Sequence, residues 1–388
     1  MKNTSHHPES EPKPITELDK SSSPFAGICF VLFLFISLAS TVIALLGNNL
    51  NLLPTKLSWP TFLNGEISTE IAKSLANAPI PEFAAKFERG LSWITFKDLG
   101  PRVREGKNNW LFLNDELLIH PNRDKNAASR AKEIIDIKQR LAQQEIKLLV
   151  VLVPDKSRIE SEYLGSQHRA KVLESRLQDW ESLLTKNGVN VVNLTGILTN
   201  TKLHGRDPYL RTDTHWNEDG AAIASKILAE KIKWLKISVM PAQITSIANQ
   251  SEELRPGDLV KLAGIDWLPL GLQPLPEKAL QSSFKVDQIQ SKKTFKANDE
   301  LFGDDNLPNI ALIGTSFSRT SQFVPYLEMQ LQSKIGNFAL DGGDFSGAAK
   351  AYFNSPSFKD TPPKLLIWEI PERVIEMDQG RDFKILVQ

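Results

Sequence analysis

Two short runs carry the residue types of nucleophilic catalysis: Asp213-Thr214-His215-Trp216-Asn217 and, far along the chain, Gly314-Thr315-Ser316-Phe317-Ser318. A serine hydroxyl is a poor nucleophile at neutral pH unless an imidazole takes its proton, and a carboxylate then stabilises the imidazolium. In an extended segment residues i and i+2 project to one face, so Asp213 can orient His215 without a distant partner. Gly314, two residues before Ser316, permits a tight turn at a strand end, and the N–H groups that follow can face a developing oxyanion. Two plainer readings stand beside this one. Ser316 or Ser318 caps a helix, and Asp213-Thr214-His215 is a capping turn or part of a metal site. Against a metal, a catalytic zinc usually takes three protein ligands, and no HExxH or comparable spacing accompanies the pair.

The elements that would position these runs read as an α/β protein. Apolar runs at Leu148 to Val153, Val189 to Leu194, Asn309 to Ile313, Asn337 to Leu340 and Leu365 to Ile370 are candidate strands, with longer helical periods between them. RAKVLESRLQDWESLLTKNG, between the first two, places Val172, Leu173, Leu177, Trp180, Leu183 and Leu184 on one face and ends at Gly188. That is a βαβ unit, which implies parallel strands. Glu218 to Leu235 and Ser321 to Ile335 read as further crossover helices. In an open parallel sheet ligands bind outside the carboxyl ends of the strands. The segments there are polar, so Gly314, Thr315, Lys156, Arg211, Tyr209 and Trp216 join Ser316, His215 and Asp213 as candidates for contact with substrate or oxyanion. Asp341-Gly342-Gly343-Asp344 has acids where a pyrophosphate would need neutral backbone, and His6, His7, His120, His168 and His204 lie in no comparable motif.

Composition narrows the class. Lys plus Arg and Asp plus Glu each number 46 in 388 residues, so no excess of charge draws the chain to nucleic acid. Cys29 is the single cysteine, which excludes an intramolecular disulfide and a thiol-based zinc site. Phe25 to Leu46 is apolar and uncharged, long enough for a helix to cross a bilayer. Residues 1–24, rich in Ser and Pro, read as a disordered tail. Lys2, Lys13 and Lys20 precede the span and Gly47 to Pro54 has no basic residue, which places the tail in the cytoplasm and the rest across the membrane. Residues 47–101, with Pro54, Pro60, Pro79 and Pro81, read as a stalk with short helices. Residues 102–388 form the domain proper, with an insertion at about 241–300 over one rim of the sheet that shows no clean period.

Gly106-Lys107-Asn108-Asn109-Trp110-Leu111-Phe112, Val153-Pro154-Asp155-Lys156, Asp213-Thr214-His215-Trp216-Asn217, Gly257-Asp258-Leu259 and Gly314-Thr315-Ser316 occur in this order. From about Arg102 to Arg373 the chain resembles the SGNH-hydrolase-like O-acetyltransferases of bacterial exopolysaccharide export, the alginate O-acetyltransferase type. The resemblance implies a periplasmic, flavodoxin-like α/β/α sandwich with a parallel sheet, permuted so that Asp and His precede Ser. It implies Ser316 as the acyl acceptor, His215 as base and Asp213 as its orienter, with no cofactor. The implied partners are a polysaccharide acceptor and a membrane-bound O-acyltransferase that supplies acetyl. With no evident GxND block, the Ser316 N–H is the remaining candidate for the oxyanion. The short stretch after Pro371-Glu372-Arg373 matches a single-domain, inner-membrane-tethered form without the C-terminal carbohydrate-binding module of larger relatives.

Overall fold

The computed structural model describes residues 24–47, 52, 57–288 and 307–387. Of the expected tail, residues 1–24, only Pro24 is described, where it opens the apolar helix, and most of the segment just after that helix lies outside the described residues. The chain divides into two compact units at Glu88/Arg89. In the first, α1 (Pro24–Leu46) is the one described helix long and apolar enough to cross a membrane, which fits an anchor or a signal sequence. It is followed by α2 (Trp59–Leu63), α3 (Glu66–Ala76) and the start of α4 (Pro79–Phe96). The second unit begins before the expected boundary at Arg102, because Trp93 and Leu99 bury with Val103, Leu111, Leu113 and Leu259 in one apolar cluster.

The second unit is built on β1 (Val103–Glu105), β2 (Leu111–Leu113), β3 (Lys147–Val153), β4 (Asn190–Asn193), β5 (Gln243–Arg255), β6 (Glu277–Gln288), β7 (Ile310–Ile313), β8 (Gly336–Asn337) and β9 (Leu365–Pro371). Its helices after α4 are α5 (Arg123–Gln143), α6 (Lys156–Ile159), α7 (Arg176–Lys186), α8 (Thr195–Leu203), α9 (Glu218–Trp234), α10 (Asp258–Leu262), α11 (Phe323–Leu331), α12 (Gly347–Phe353) and α13 (Pro356–Lys359). Five strands form a sheet in the order β4-β3-β9-β7-β8, and every pairing in it is parallel. The middle strands are apolar on both faces because helices cover both. On one side Leu149, Val151, Leu312 and Ile367 pack with Leu198 of α8, Leu228 of α9 and Leu327 of α11. On the other, Leu148, Val150, Ile313 and Trp368 pack with Ile134 of α5, Trp180 of α7 and Phe353 of α12. This is the expected α/β/α sandwich.

Three local expectations change. The helix expected over 169–188 is regular only in α7, and two residues of its expected apolar face are exposed, Val172 (40%) in the turn before α7 and Leu183 (38%) within it. The segment leading into it is bent to another use: Arg158, Arg169 and Arg176, the first residue of α7, converge on Asp155 and Glu372, the acids that follow β3 and β9. The strand expected at Asn337 to Leu340 pairs only over β8, although Phe338 and Leu340 N–H groups still reach the Leu312 and Gly314 carbonyls. The insertion folds into a long antiparallel hairpin, β5 with β6, with residues 289–306 outside the described set. Much of β5 is exposed on both faces, which is why its sequence alternates poorly. Its partner strand is pinned to α9, since Ser282 donates to Glu218 through N–H (2.8 Å) and Oγ (2.5 Å), and Tyr326 adds a third bond to that carboxylate at 2.9 Å.

Candidate active site

Asp213 and His215, the expected orienter and base, sit on a pinched loop and not on an extended strand. Tyr209 and Trp216 form an isolated antiparallel bridge, and the residues between them make successive bends. Asp213 Oδ1 accepts both the His215 main-chain N–H (3.0 Å) and His215 Nδ1 (2.7 Å), so the carboxylate closes an Asx turn and orients the ring in one step. A carboxylate at Nδ1 places the ring proton there and leaves Nε2 as acceptor. Nε2 lies 2.6 Å from Ser316 Oγ. The loop then enters α9, where Asn217 Oδ1 caps the Gly220 N–H at 2.9 Å and Glu218 and Asp219 occupy the favourable first turn.

Ser316 lies just past β7, after Gly314 and Thr315, and opens a single 3-10 turn, Ser316–Arg319, with α11 starting only at Phe323. Thr315, not Ser316, is the cap, its hydroxyl accepting the Phe317 N–H at 3.4 Å. Beneath the turn lies Glu369, buried in β9. It accepts the Thr315 N–H (2.7 Å), the Thr315 hydroxyl (3.0 Å) and the Ser318 hydroxyl (3.1 Å). Gly314 is required by this arrangement, because a Cβ there would stand 2.5 Å from Glu369 Oε2 and 3.0 Å from its main-chain oxygen. Burial pushes the Glu369 carboxyl above its usual range, against the pull of the Thr315 and Ser318 bonds and of Arg373. Thr315 N–H is therefore occupied, whereas Ser316 N–H has no hydrogen-bond partner among the described residues.

Asp213 stays ionised. Burial pushes its carboxyl up, but the His215 hydrogen bond and charge, together with Arg255 at 3.4 Å, outweigh it and hold the carboxyl well below the usual range. Asp258 supplies a second acid beside His215 that the spacing argument did not find, with Oδ2 3.6 Å from His215 Nδ1. The donors around these acids suit a hydrogen-bonded relay better than a cation. Asp258 Oδ1 is taken by Thr214 N–H and hydroxyl, and Asp213 Oδ2 faces Arg255 and the Asp258 N–H.

The other expected contacts are placed differently. Lys156 has no exposed side-chain surface and donates to the carbonyls of Leu111 (2.6 Å), Arg211 (2.9 Å) and Asp213 (2.9 Å). Tyr209 donates to the Pro154 carbonyl, and Trp216 is enclosed by Phe317 and Phe323 at 5.1 and 4.9 Å. These three form the wall behind the site, because each is buried among protein partners. Arg211 points its guanidinium at the Leu275 carbonyl (2.8 Å). Gly314 and Thr315 lie at the turn that carries Ser316. Sequence reasoning missed Glu369, Glu277 and Arg255. Only the first left a trace, as the one charge inside an otherwise apolar run.

Residues 103–372 match the family model for the SGNH hydrolase-like domain, acetyltransferase AlgX. The chain is 31% identical over 303 residues to the "Probable alginate O-acetylase AlgJ" of Pseudomonas fluorescens, covering 77% of this chain and 75% of that protein. It is 28% identical over 278 residues to the alginate biosynthesis protein AlgX of the same organism, covering 68% of this chain and 54% of that one. The solved O-acetyltransferase domain of Pseudomonas putida AlgJ is 26% identical and superposes with a TM-score of 0.59 over 72% of this chain and 93% of that chain. A match that spans the sheet, both catalytic-type turns and the hairpin between them places the chain in the SGNH hydrolase-like acetyltransferase family of AlgX.

Proposed function

We propose that the chain is a membrane-anchored O-acetyltransferase that carries acetyl on Ser316 and passes it to hydroxyls of an exopolysaccharide such as alginate. The observation that carries this reading is the unbroken line Asp213 Oδ1, His215 Nδ1, His215 Nε2, Ser316 Oγ, with links of 2.7 and 2.6 Å. The names of the AlgJ and AlgX relatives supply the substrate class.

In the first half-reaction His215 Nε2 takes the Ser316 proton as Oγ bonds to the donor's acetyl carbon. Asp213 holds the resulting imidazolium, and the unpartnered Ser316 N–H is available to the oxyanion. The tetrahedral adduct collapses, the donor's leaving group takes the proton from His215, and acetyl remains on Ser316. In the second half-reaction a sugar hydroxyl gives its proton to His215 as its oxygen bonds to the acyl carbon, and the adduct then breaks the bond from that carbon to Ser316 Oγ, which takes the proton back from His215 and leaves acetyl on the sugar. The α1 helix would hold this site outside the cytoplasmic membrane, facing the periplasm, where a membrane-bound O-acyltransferase partner delivers acetyl.

Incubating the chain with an activated acetyl ester should place acetyl on Ser316, read by peptide mass spectrometry after rapid quench. A polysaccharide acceptor should discharge it faster than buffer does. Equal rates would favour a carbohydrate esterase with the same residues, and absence of any serine adduct would favour a non-catalytic export scaffold.

A further inference from the structure

The loop from Arg211 to Asp213 is irregular yet largely enclosed, so its main-chain N–H and C=O groups need partners that neither helix nor sheet supplies. Two side chains of opposite charge meet much of that need. Glu277, at the start of β6, accepts the N–H groups of Arg211 (2.8 Å) and Thr212 (2.8 Å) and the Thr212 hydroxyl (3.0 Å). Lys156 takes the carbonyls of Arg211 and Asp213 and ties them to Leu111 of β2. An ammonium has three N–H donors, and here three carbonyls use all of them. The rings of Trp110 and Phe112 lie 4.9 and 5.2 Å from Nζ, which closes the ammonium off among aromatic faces.

We propose that Lys156 is a positioning residue for acyl transfer, its buried ammonium fixing through three carbonyls the turn from which Asp213 holds His215. The inference rests on the acyl-serine reading of Asp213, His215 and Ser316. Lys156 touches none of the reacting atoms. It acts on the carbonyl of the residue whose carboxylate receives the imidazole, so any shift of that carbonyl moves the carboxylate and then the ring. The charged form matters, because a neutral amine has only two N–H groups and would turn its lone pair toward one of the three oxygens. Burial lowers the Lys156 pKa, the acids Glu116, Glu277, Asp213 and Asp258 raise it, and the balance is about 8. The clamp should therefore loosen in mildly alkaline solution.

The test uses the full chain in detergent. Acylation of Ser316 by an activated acetyl ester is followed from pH 6 to 10, together with the downfield proton resonance of His215 Nδ1–H, assigned by its loss in His215→Ala. The wild-type rate should fall through about pH 8 while far-ultraviolet circular dichroism stays constant. Lys156→Met should acylate about 10²-fold more slowly, as a small misplacement of catalytic groups does. Its KM for the ester should be unchanged, its alkaline fall gone, and its downfield resonance lost or shifted. Should Lys156→Met not fold, the wild-type series decides, since the resonance must weaken through the same pH range. Acylation of folded Lys156→Met at the wild-type rate, or an unmoved wild-type resonance at pH 10, would overturn the proposal. Failure of the wild-type chain to acylate would sink the acyl-serine reading, and the resonance would still report on Lys156.

Discussion

At the residue scale, His215 sits between a carboxylate and a hydroxyl with hydrogen-bond links of 2.7 and 2.6 Å, so each member depends on the other two. Ser316→Ala and His215→Ala should each lower acyl transfer by about 10⁴-fold or more, and the double variant should be no worse than either single one, because groups acting as a unit are lost together. Single-turnover kinetics would check this, and additive losses would contradict a shared role. Asp213 also makes a prediction about stability. Its native carboxyl is held below the unfolded value, so its contribution is full above an ordinary aspartate pKa and is lost as pH falls toward the depressed native one. The melting-temperature gap between wild type and Asp213→Asn should be at its full, level value above about pH 5 and should narrow below about pH 4. A gap that does not change with pH would mean that the carboxylate is not held as described.

At the scale of elements, two adjacent parallel strands build the turn that carries Ser316, since β7 ends at Ile313 and β9 carries Glu369 beside it. Glu369→Ala would strand the Thr315 N–H and two hydroxyls at a dry strand end, at about 1 to 3 kcal/mol for each group left unsatisfied. Glu369→Gln, which keeps an acceptor oxygen, should cost less; calorimetric melts of the two variants give the comparison. Gly257 makes the matching case for the acid–base loop. A Cβ there would fall 1.8 Å from the Thr212 carbonyl oxygen, so Gly257→Ala must push the loop aside. The expected result is a large fall in acyl transfer with the sheet retained, read by activity beside circular dichroism. Wild-type activity in that variant would show that the loop can move without moving His215.

On the scale of the whole molecule, the described residues contain one helix long and apolar enough to cross a membrane and, separately, an α/β/α sandwich. If α1 is an uncleaved anchor with its tail in the cytoplasm, a reporter fused after Gln388 should be active only when it works outside the cytoplasm. Activity of a cytoplasm-only reporter at that position would reverse the topology and remove the site from any exported polymer.

Where a structural feature closes over a few residues, the sequence by itself determined it. The uncharged run of α1 needs no tertiary partner to be apolar. The strands β3 and β9 announce burial on both faces through apolar runs, interrupted in β9 by Glu369, and polar segments after them mark the end of the sheet where the candidate site lies. Asp213 and His215 form their pair within one turn, and Ser316 stands at a strand end where a glycine permits the approach. Tertiary structure alone decided what grips those turns. Glu369 reaches Thr315 across 54 residues of chain, Lys156 reaches Asp213 across 57 and Glu277 reaches Thr212 across 65. Such contacts depend on which strands lie side by side and where an insertion returns, and no local period encodes either. The same reason moved Lys156 from expected substrate contact to buried clamp: a lysine after a strand looks solvent-facing until β2 and the Arg211–Asp213 loop close over it.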